Sequence, residues 1–343
     1  MRFEYYHAGL EDVPKLSIDG LVPQSVHFSH WQGNQTPAEV KADSSTGIAL
    51  NVVASPARHD LTRGIELVTN NHFDTDGVLS VWTMLAGERA LDLRAELIAA
   101  AEAGDFSANT GAQGIRASLV LQGGDELVPD SSIASPLARH LAGGAEEMDE
   151  ARAYALVLPE VERVITQTDA FEHLWHDEWA KIEASLESFG RGASRVEEDA
   201  ETGLSIITLA RDLYGARGFT PTRHAAPYTA ITEHAHGRIY LIAIPLEKGW
   251  GYRVDYPYYS WADTVVRPRI RRHDFAPLIA RLAELEQNRV GRWQLDTEGL
   301  SSAFNFARAG GLLCASSLAP DEIAEHLRAA LREQAEMAVA SSQ

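Results

Sequence analysis

The chain has one cysteine, Cys314, in 343 residues. A single thiol excludes an intrachain disulfide and any cysteine-rich metal site. Lysine is almost as scarce, at four residues, and acidic side chains outnumber basic ones 49 to 30, for a formal net charge of -19. Such a field repels a polyphosphate backbone, and so few lysines supply no continuous basic channel, so long nucleic acids are not expected partners. No run of about 18 apolar residues occurs, so no membrane span or membrane partner is expected. Met1 to Gly20 is mixed and polar, with no charged segment leading into an apolar one, and the expected location is cytoplasmic. Gly-x-Ser-x-Gly and His-Glu-x-x-His patterns are also missing, and Gly123-Gly124 lacks the Gly or Lys of a phosphate loop. Serine-hydrolase, zincin, dinucleotide-fold and P-loop readings therefore have no support.

What is present is a globular composition, 45% hydrophobic and 23% charged, with a length that suggests about two domains at ~150 residues each. Residues 1–190 alternate strand and helix. Gln24 to Trp31 and Gly64 to Thr69 are expected strands. Thr36-Pro37 has the cap and first-turn chemistry of a helix start, Val78 to Leu85 is a helix, and Leu91 to Ala103 is a helix stopping at Gly104. Helices are also expected over Glu147 to Ile165 and Asp169 to Phe189. The latter carries a core stripe from Phe171, Trp175 and Trp179, and on it His173 and Asp177 stand one turn apart, as a surface pair or as ligands. This alternation predicts an α/β fold with a mostly parallel sheet and crossover helices. Arg191 to Glu201 is the candidate boundary. Residues 202–343 read as a second, α+β domain. Its expected strands are Leu204 to Ala210, Tyr228 to Glu233, Arg238 to Leu246 and Gly251 to Tyr256, the last three as a meander, with helices over Phe275 to Glu286 and Asp321 to Ala340.

The sharpest stretch is Asn70 to Ser80, Asn-Asn-His-Phe-Asp-Thr-Asp-Gly-Val-Leu-Ser, between an expected strand and an expected helix. Loops at that place gather ligands in α/β sheets. His72, Asp74 and Asp76 recur every second residue, and an extended loop would point all three one way. One imidazole and two carboxylates suit Mn²⁺, Mg²⁺ or Fe²⁺. Gly77 would allow a tight turn into the helix. An EF-hand fails, because its first position would be His72 and its twelfth Thr83. The structural alternative is that Asp74 or Asp76 simply caps the helix.

This motif, with Ser80 following, resembles the first metal-binding motif of the DHH phosphoesterase superfamily, in particular its RecJ-like branch. The resemblance implies a two-domain hydrolase that binds two Mn²⁺ ions on its N-terminal parallel-sheet domain. His72, Asp74 and Asp76 would be metal ligands, an activated water would attack phosphorus, and a smaller C-terminal domain would close over the substrate. Asp105, in Leu-Ile-Ala-Ala-Ala-Glu-Ala-Gly-Asp-Phe, resembles the isolated acid of the second motif; the alternative is a solvated acid after a helix. The expected function is divalent-metal-dependent hydrolysis of a phosphate ester or anhydride on a small phosphorylated molecule. No Asp-His-His triplet occurs, and Gly310-Gly311 is followed by Leu312 where the superfamily has histidine. That departure supports the alternative of a non-catalytic binding protein retaining a DHH-like fold.

Further ligands are expected on the first strand. His27 and His30 cannot share a strand face, and His30 lies nearer the carboxyl end. Asp43, beside Ser44, Ser45 and Thr46, either opens a polar turn or contributes to an oxyanion site. In the second domain Arg267, Arg269 and Arg271 would share one face of an extended segment that runs on to His273. Arginine forks clamp phosphate, so these four are the expected substrate-binding residues. The other reading pairs them with the chain's many acids and treats Trp250, Tyr252 and Tyr256 as core.

Overall fold

The computed structural model describes residues 1–124, 134–144, 148–213, 227–296 and 299–340. The chain divides into two compact units, one of Met1–Ala180 with Trp261–Arg269, the other of Lys181–Ser260 with Ile270–Gln343. The architecture is α/β.

The first unit contains four short strands, β1 (Arg2–Phe3), β2 (Lys15–Ile18), β3 (Val26–Phe28) and β4 (Leu67–Thr69), in the order β1-β4-β2-β3 and parallel at every pairing. Its helices are α1 (Ser45–Ala54), α2 (Arg58–Leu61), α3 (Thr75–Ala86), α4 (Arg94–Phe106), α5 (Ala112–Leu121), α6 (Pro136–Leu141), α7 (Glu150–Val157) and α8 (Val161–Thr166). Next comes α9 (Glu172–Gly190), within which the division into units falls. The buried strand β2 is a continuous run without alternation, as a parallel strand covered on both faces should be. Since all four strands run one way, their carboxyl ends share one edge, and the loops after β2, β3 and β4 meet there.

One member of that run is a lysine. Lys15 is 1% exposed, and its Nζ donates to the carbonyls of Leu10 (2.9 Å), Glu11 (2.9 Å), Val13 (3.4 Å) and Gln24 (3.2 Å). The ammonium thus knits the segments before and after β2. Lys15→Met keeps the stem but leaves those carbonyls without their donor. A loss of about 3 kcal/mol is expected, read as a lower urea midpoint; an unchanged midpoint would contradict this role.

The second unit holds a six-stranded sheet of β5 (Arg195–Asp199), β6 (Leu204–Thr208), β7 (Ile239–Leu246), β8 (Gly249–Asp255), β9 (Arg292–Leu295) and β10 (Ser302–Ala307), ordered β5-β6-β7-β8-β10-β9. Only β6 and β7 pair in parallel. Its further helices are α10 (Tyr228–His234), α11 (Ala276–Leu285) and α12 (Pro320–Ala340). One apolar cluster joins Tyr252, Phe304 and Phe306 to Phe275, Leu282 and Leu327; a second joins Ile207, Ile242 and Ile244 to Tyr228 and Phe189.

Several expected elements are corrected. Tyr228 to Glu233 is helical rather than a strand, so β7 and β8 form a hairpin instead of closing a three-strand meander. Thr36 caps no α-helix: its Oγ1 bonds the main chain of Ser29, and only the 3₁₀ turn Ala38–Val40 follows. Gly104 does not stop its helix, which continues to Phe106 and ends at left-handed Ser107 (φ 47°). Part of the candidate boundary, Arg195–Asp199, is strand β5. The expected start of the Glu147 helix lies outside the described residues. No helix among the described residues is long and apolar enough to cross a membrane.

Candidate metal centre

At the carboxyl edge of the parallel sheet, two groups of potential ligands share one residue. Asp19, His30, Asp76 and Asp105 form an inner group, and Asp19, His72 and Asp74 an outer one; within each, the donor atoms lie within 4.8 Å of one another. The inner side chains are 0–4% exposed, whereas His72 and Asp74 are 25% and 27% exposed.

Asp19 immediately follows β2, and its backbone is left-handed, with φ at 63°. An L-residue pays for that conformation, and Asp is among the few types that tolerate it. Gly20 then allows the close approach of the next loop, since a Cβ there would lie 2.1 Å from Asn71 Oδ1 and 2.8 Å from Asn70 Oδ1. The turn places Asp19 Oδ1 3.2 Å from His30 Nε2 and Oδ2 2.9 Å from His72 Nε2. Each oxygen thus serves one group.

His30, two residues beyond β3, is fixed by its main chain and by its ring. Its backbone N–H donates to Ser45 Oγ (3.3 Å), its carbonyl accepts from the Asp263 N–H (2.6 Å), and Nδ1 lies 2.6 Å from the Asp43 carbonyl. A carbonyl only accepts, so Nδ1 carries the proton. In the neutral ring, Nε2 is then a bare lone pair, yet it faces Asp19 Oδ1 and Asp105 Oδ2, each at 3.2 Å.

Asp74 is placed for either of its expected roles. It is the N-cap of α3, with Oδ1 accepting from the Gly77 N–H at 2.7 Å, while Oδ2 stands 3.1 Å from His72 Nε2. Asp76 lies inside the first turn of α3, so the segment is not extended, and His72, Asp74 and Asp76 do not point one way. The helical turn sends Asp76 to the inner group and leaves the other two in the outer. There the start of α1 anchors Asp76, whose oxygens accept from the Ser45 N–H (2.6 Å) and the Thr46 N–H (2.7 Å). Gly77 provides room rather than an unusual turn: a Cβ would lie 2.6 Å from Asn70 Nδ2 and 2.8 Å from the Tyr154 hydroxyl. Asp105 sits in the last turn of α4, not beyond it as expected, because Gly104 packs the helix against Thr75, whose Cβ would lie 2.7 Å from an added methyl.

Charge defines the chemistry. Both oxygens of Asp19, Nε2 of His30 and of His72, and Asp105 Oδ2 are buried without a hydrogen bond of acceptable geometry. Contacts near 3 Å that miss hydrogen-bond angles are what donors aimed at a common point produce. In the absence of a cation, only protons balance the carboxylates. Burial opposes the charged form of His72, but the Asp74 and Asp19 carboxylates prevail and push its pKa up to about 12. Burial likewise opposes the His30 imidazolium, and contact with Asp105 and Asp19 raises its pKa well above the usual range. Burial and the Asp19 charge push Asp76 up to about 7, and burial with the charges of Asp74 and Asp76 raises Asp105. Asp19 goes the other way: burial would raise it, but contact with His30 and with His72 holds it far below the ordinary carboxylate range. Opposed shifts of this kind arise in functional sites and in buried ion-pair networks alike.

Aromatic rings enclose the group. Trp31 meets the His72 ring edge-on at 5.4 Å, Trp261 meets His30 at 5.0 Å, and Phe106 lies 5.7 Å from His30.

Of the arginines expected to form a clamp, Arg267 and Arg269 are paired with acids. Arg267 Nη1 is 3.0 Å from Asp43 and Nη2 2.7 Å from Glu102, with the guanidinium 4.7 Å over Phe106; Arg269 pairs with Asp263 at 2.7 Å. Both belong to the first unit, whereas Arg271 and His273 belong to the second. There His273 stacks with Phe275 (5.8 Å), and Arg271 lines a groove of about 490 Å³ with Arg281 and His326. Residues 268–275 form no strand, so alternation does not align them. His27 bonds the Val22 carbonyl (3.2 Å) and stays outside the centre. His173 meets His140 edge-on at 4.9 Å and is in neither ligand group. The residue that sequence reasoning missed is Asp19. Its signal was an acid followed by glycine at the end of a short apolar run, Leu16-Ser17-Ile18.

The fold and site together define a class: an α/β protein with two adjoining Asp/His clusters of potential ligands at the carboxyl edge of a parallel sheet. The chain belongs to a family of unknown function, DUF6687, whose model matches residues 2–341. No curated protein and no solved structure matches it.

Proposed function

We propose that the protein is a divalent-metal-dependent hydrolase of a phosphate ester or anhydride on a small phosphorylated molecule, with Mn²⁺ as the preferred ion and Mg²⁺ or Fe²⁺ as alternatives, acting in the cytoplasm. The observation that carries this reading is His30 Nε2 facing two buried carboxylate oxygens, each at 3.2 Å. Neutral, it would repel both; a cation at the shared focus turns repulsion into coordination. The donor set of carboxylates and imidazoles suits these ions. Asp19, His30, Asp76 and Asp105 would hold one, and Asp19, His72 and Asp74 the other. Two such ions supply Lewis acidity, lowering the pKa of water and stabilising charge on both attacking and leaving oxygens.

The chain's own residues do the rest. Asp19 offers one oxygen to each group, which keeps the two positions adjacent. The start of α1 fixes the Asp76 carboxylate, and the Asp43 carbonyl fixes the His30 tautomer. Trp261 and Phe106 shield the inner side from water and lower the local dielectric, which strengthens every electrostatic contact there. Access is from the side of the partly exposed His72 and Asp74, an opening suited to a small substrate. The similarity to the DHH phosphoesterase motif is compatible with this assignment; Asp19 and His30 are contributed from outside that motif. The missing Asp-His-His triplet favours a second reading, a binding protein with the same fold and no turnover.

Elemental analysis of the purified protein separates these readings. About two ions per chain are expected, with Asp74→Ala retaining about one, together with turnover of a chromogenic phosphodiester. Metal without turnover would favour the binding protein, and a chain that takes up no metal would remove both.

A further inference from the structure

We propose that Asp43 is the positioning residue of the inner ligand group, and that it couples filling of that group to the order of the segment Trp261–Arg269. The inference rests on the two-ion reading above.

Asp43 is 6% exposed and acts through two different functional groups. Its carbonyl accepts from His30 Nδ1–H at 2.6 Å. Its carboxylate is saturated by a single turn: Oδ1 accepts from the N–H groups of Val265 (2.6 Å) and Val266 (2.8 Å), and Oδ2 from the N–H (3.1 Å) and Nη1 (3.0 Å) of Arg267. Burial would raise this carboxyl's pKa, but the three backbone donors hold it below the usual range. With four donors engaged, the carboxylate has nothing left for a metal; its role is mechanical.

The turn it holds reaches both ends of the inner group. The Asp263 N–H donates to the His30 carbonyl at 2.6 Å, and Trp261 meets the His30 ring at 5.0 Å. From the other side Arg267 bonds Glu102 at 2.7 Å and covers Phe106. These two residues flank Asp105 on α4, the one three positions before it and the other directly after it. His30 and Asp105, distant in sequence, are therefore held in register by one carboxylate and one guanidinium. A cation that fixes the His30 ring fixes its Nδ1–H, and through it the Asp43 main chain that presents the carboxylate to the turn. Coupling of this kind is reciprocal: what orders the turn must tighten the inner group by the same factor.

Two measurements test this, both with Mn²⁺ as the probe. In a His72→Ala background, where only the inner group is intact, Asp43→Asn should weaken Mn²⁺ binding by the roughly 10–100-fold typical of groups that orient metal ligands. In the otherwise wild-type chain, the same substitution should leave the outer ion's affinity unchanged. A merely structural role would weaken both positions alike, and that result, or unchanged inner affinity, overturns the proposal. The second measurement needs no variant at Asp43 and so survives a failure of Asp43→Asn to fold. In wild type and in His72→Ala alike, saturation with Mn²⁺ should slow amide hydrogen exchange at Val265, Val266 and Arg267 by at least about tenfold. Exchange that is indifferent to Mn²⁺ overturns the coupling while leaving the two-ion reading intact. A wild-type chain that binds no Mn²⁺ defeats that reading itself, and the proposal with it.

Discussion

On the two-ion reading proposed above, Asp19→Asn should empty both ligand groups at once. Asp19 is the one residue common to them, with Oδ1 beside His30 and Oδ2 beside His72. The amide replaces one carboxylate oxygen by a donor, which cannot ligate, and removes the charge that a shared position needs. Lewis acidity contributes several kcal/mol to phosphoryl transfer, so at 1.36 kcal/mol per decade the loss of turnover should be on the order of 10³-fold or more. Asparagine is the right substitution because it tolerates the left-handed backbone as well as aspartate does. The φ of 63° therefore adds no penalty of its own, and folding, followed by circular dichroism, should persist. The diagnostic comparison is with Asp74→Ala, which touches the outer group alone. Elemental analysis should find less than about one ion per chain in Asp19→Asn against about one in Asp74→Ala. A variant that keeps both ions would show that the two groups are independent and that no bridging residue exists.

Why Asp19 escaped the sequence while five other ligand candidates did not is a matter of context. His72, Asp74 and Asp76 were visible because three ligand-type residues fall together before an evident helix. His30 was visible because strand polarity ranks it above His27, and the same rule would have selected Asp19 had β2 been recognised. It was not: β2 is four residues long, fully buried, and carries a lysine whose charge disguises it as loop. The lysine is buried because four carbonyls surround it, which is tertiary information. Asp105 was visible as an acid but misplaced, because Gly104 reads as a helix stop. In the fold that glycine is a close-packing position against Thr75, and the helix runs two residues further. Tyr228 to Glu233 failed for a related reason: its β-branched and aromatic composition favours a strand, and packing of Tyr228, Ala230 and Ile231 against β7 overrides that propensity. For the arginines two readings stood open, a phosphate clamp or pairing with the chain's acids, and Arg267 and Arg269 are paired with Asp43, Glu102 and Asp263. The α/β alternation of strand and helix was legible throughout, since periodicity and breakers are local signals.

Metal-induced stabilisation should grow steeply as pH rises from 6 to 8. In the metal-free protein His72, pushed up to about 12, keeps its proton across this range, and His30 is shifted in the same direction. Asp76, pushed up to about 7, gives its proton up within it. For a group whose folded pKa lies above its unfolded value, the contribution to stability is full below the unfolded pKa and is lost as pH rises through the folded one. For the two histidines that loss begins near 6.5, and for Asp76 it completes near 7, so all three make the metal-free protein less stable at pH 8 than at pH 6. Asp19 is shifted the opposite way, but its window lies below the ordinary carboxylate range and contributes nothing here. The metal-free form should therefore lose at least ~2 kcal/mol over the interval. The loaded form behaves oppositely. Both imidazoles must release their protons to coordinate, so apparent affinity should rise with a slope of about two log units per pH unit. Calorimetry in two buffers of different ionisation enthalpy should then find at least about two protons released per chain at pH 7, the two imidazole protons with a further contribution from Asp76 and Asp105. In thermal melts with Mn²⁺ and with a chelator, the gap between the two should widen from pH 6 to 7 to 8. A gap that stays constant, or binding without proton release, would mean that His30 and His72 are not the groups that exchange protons for metal.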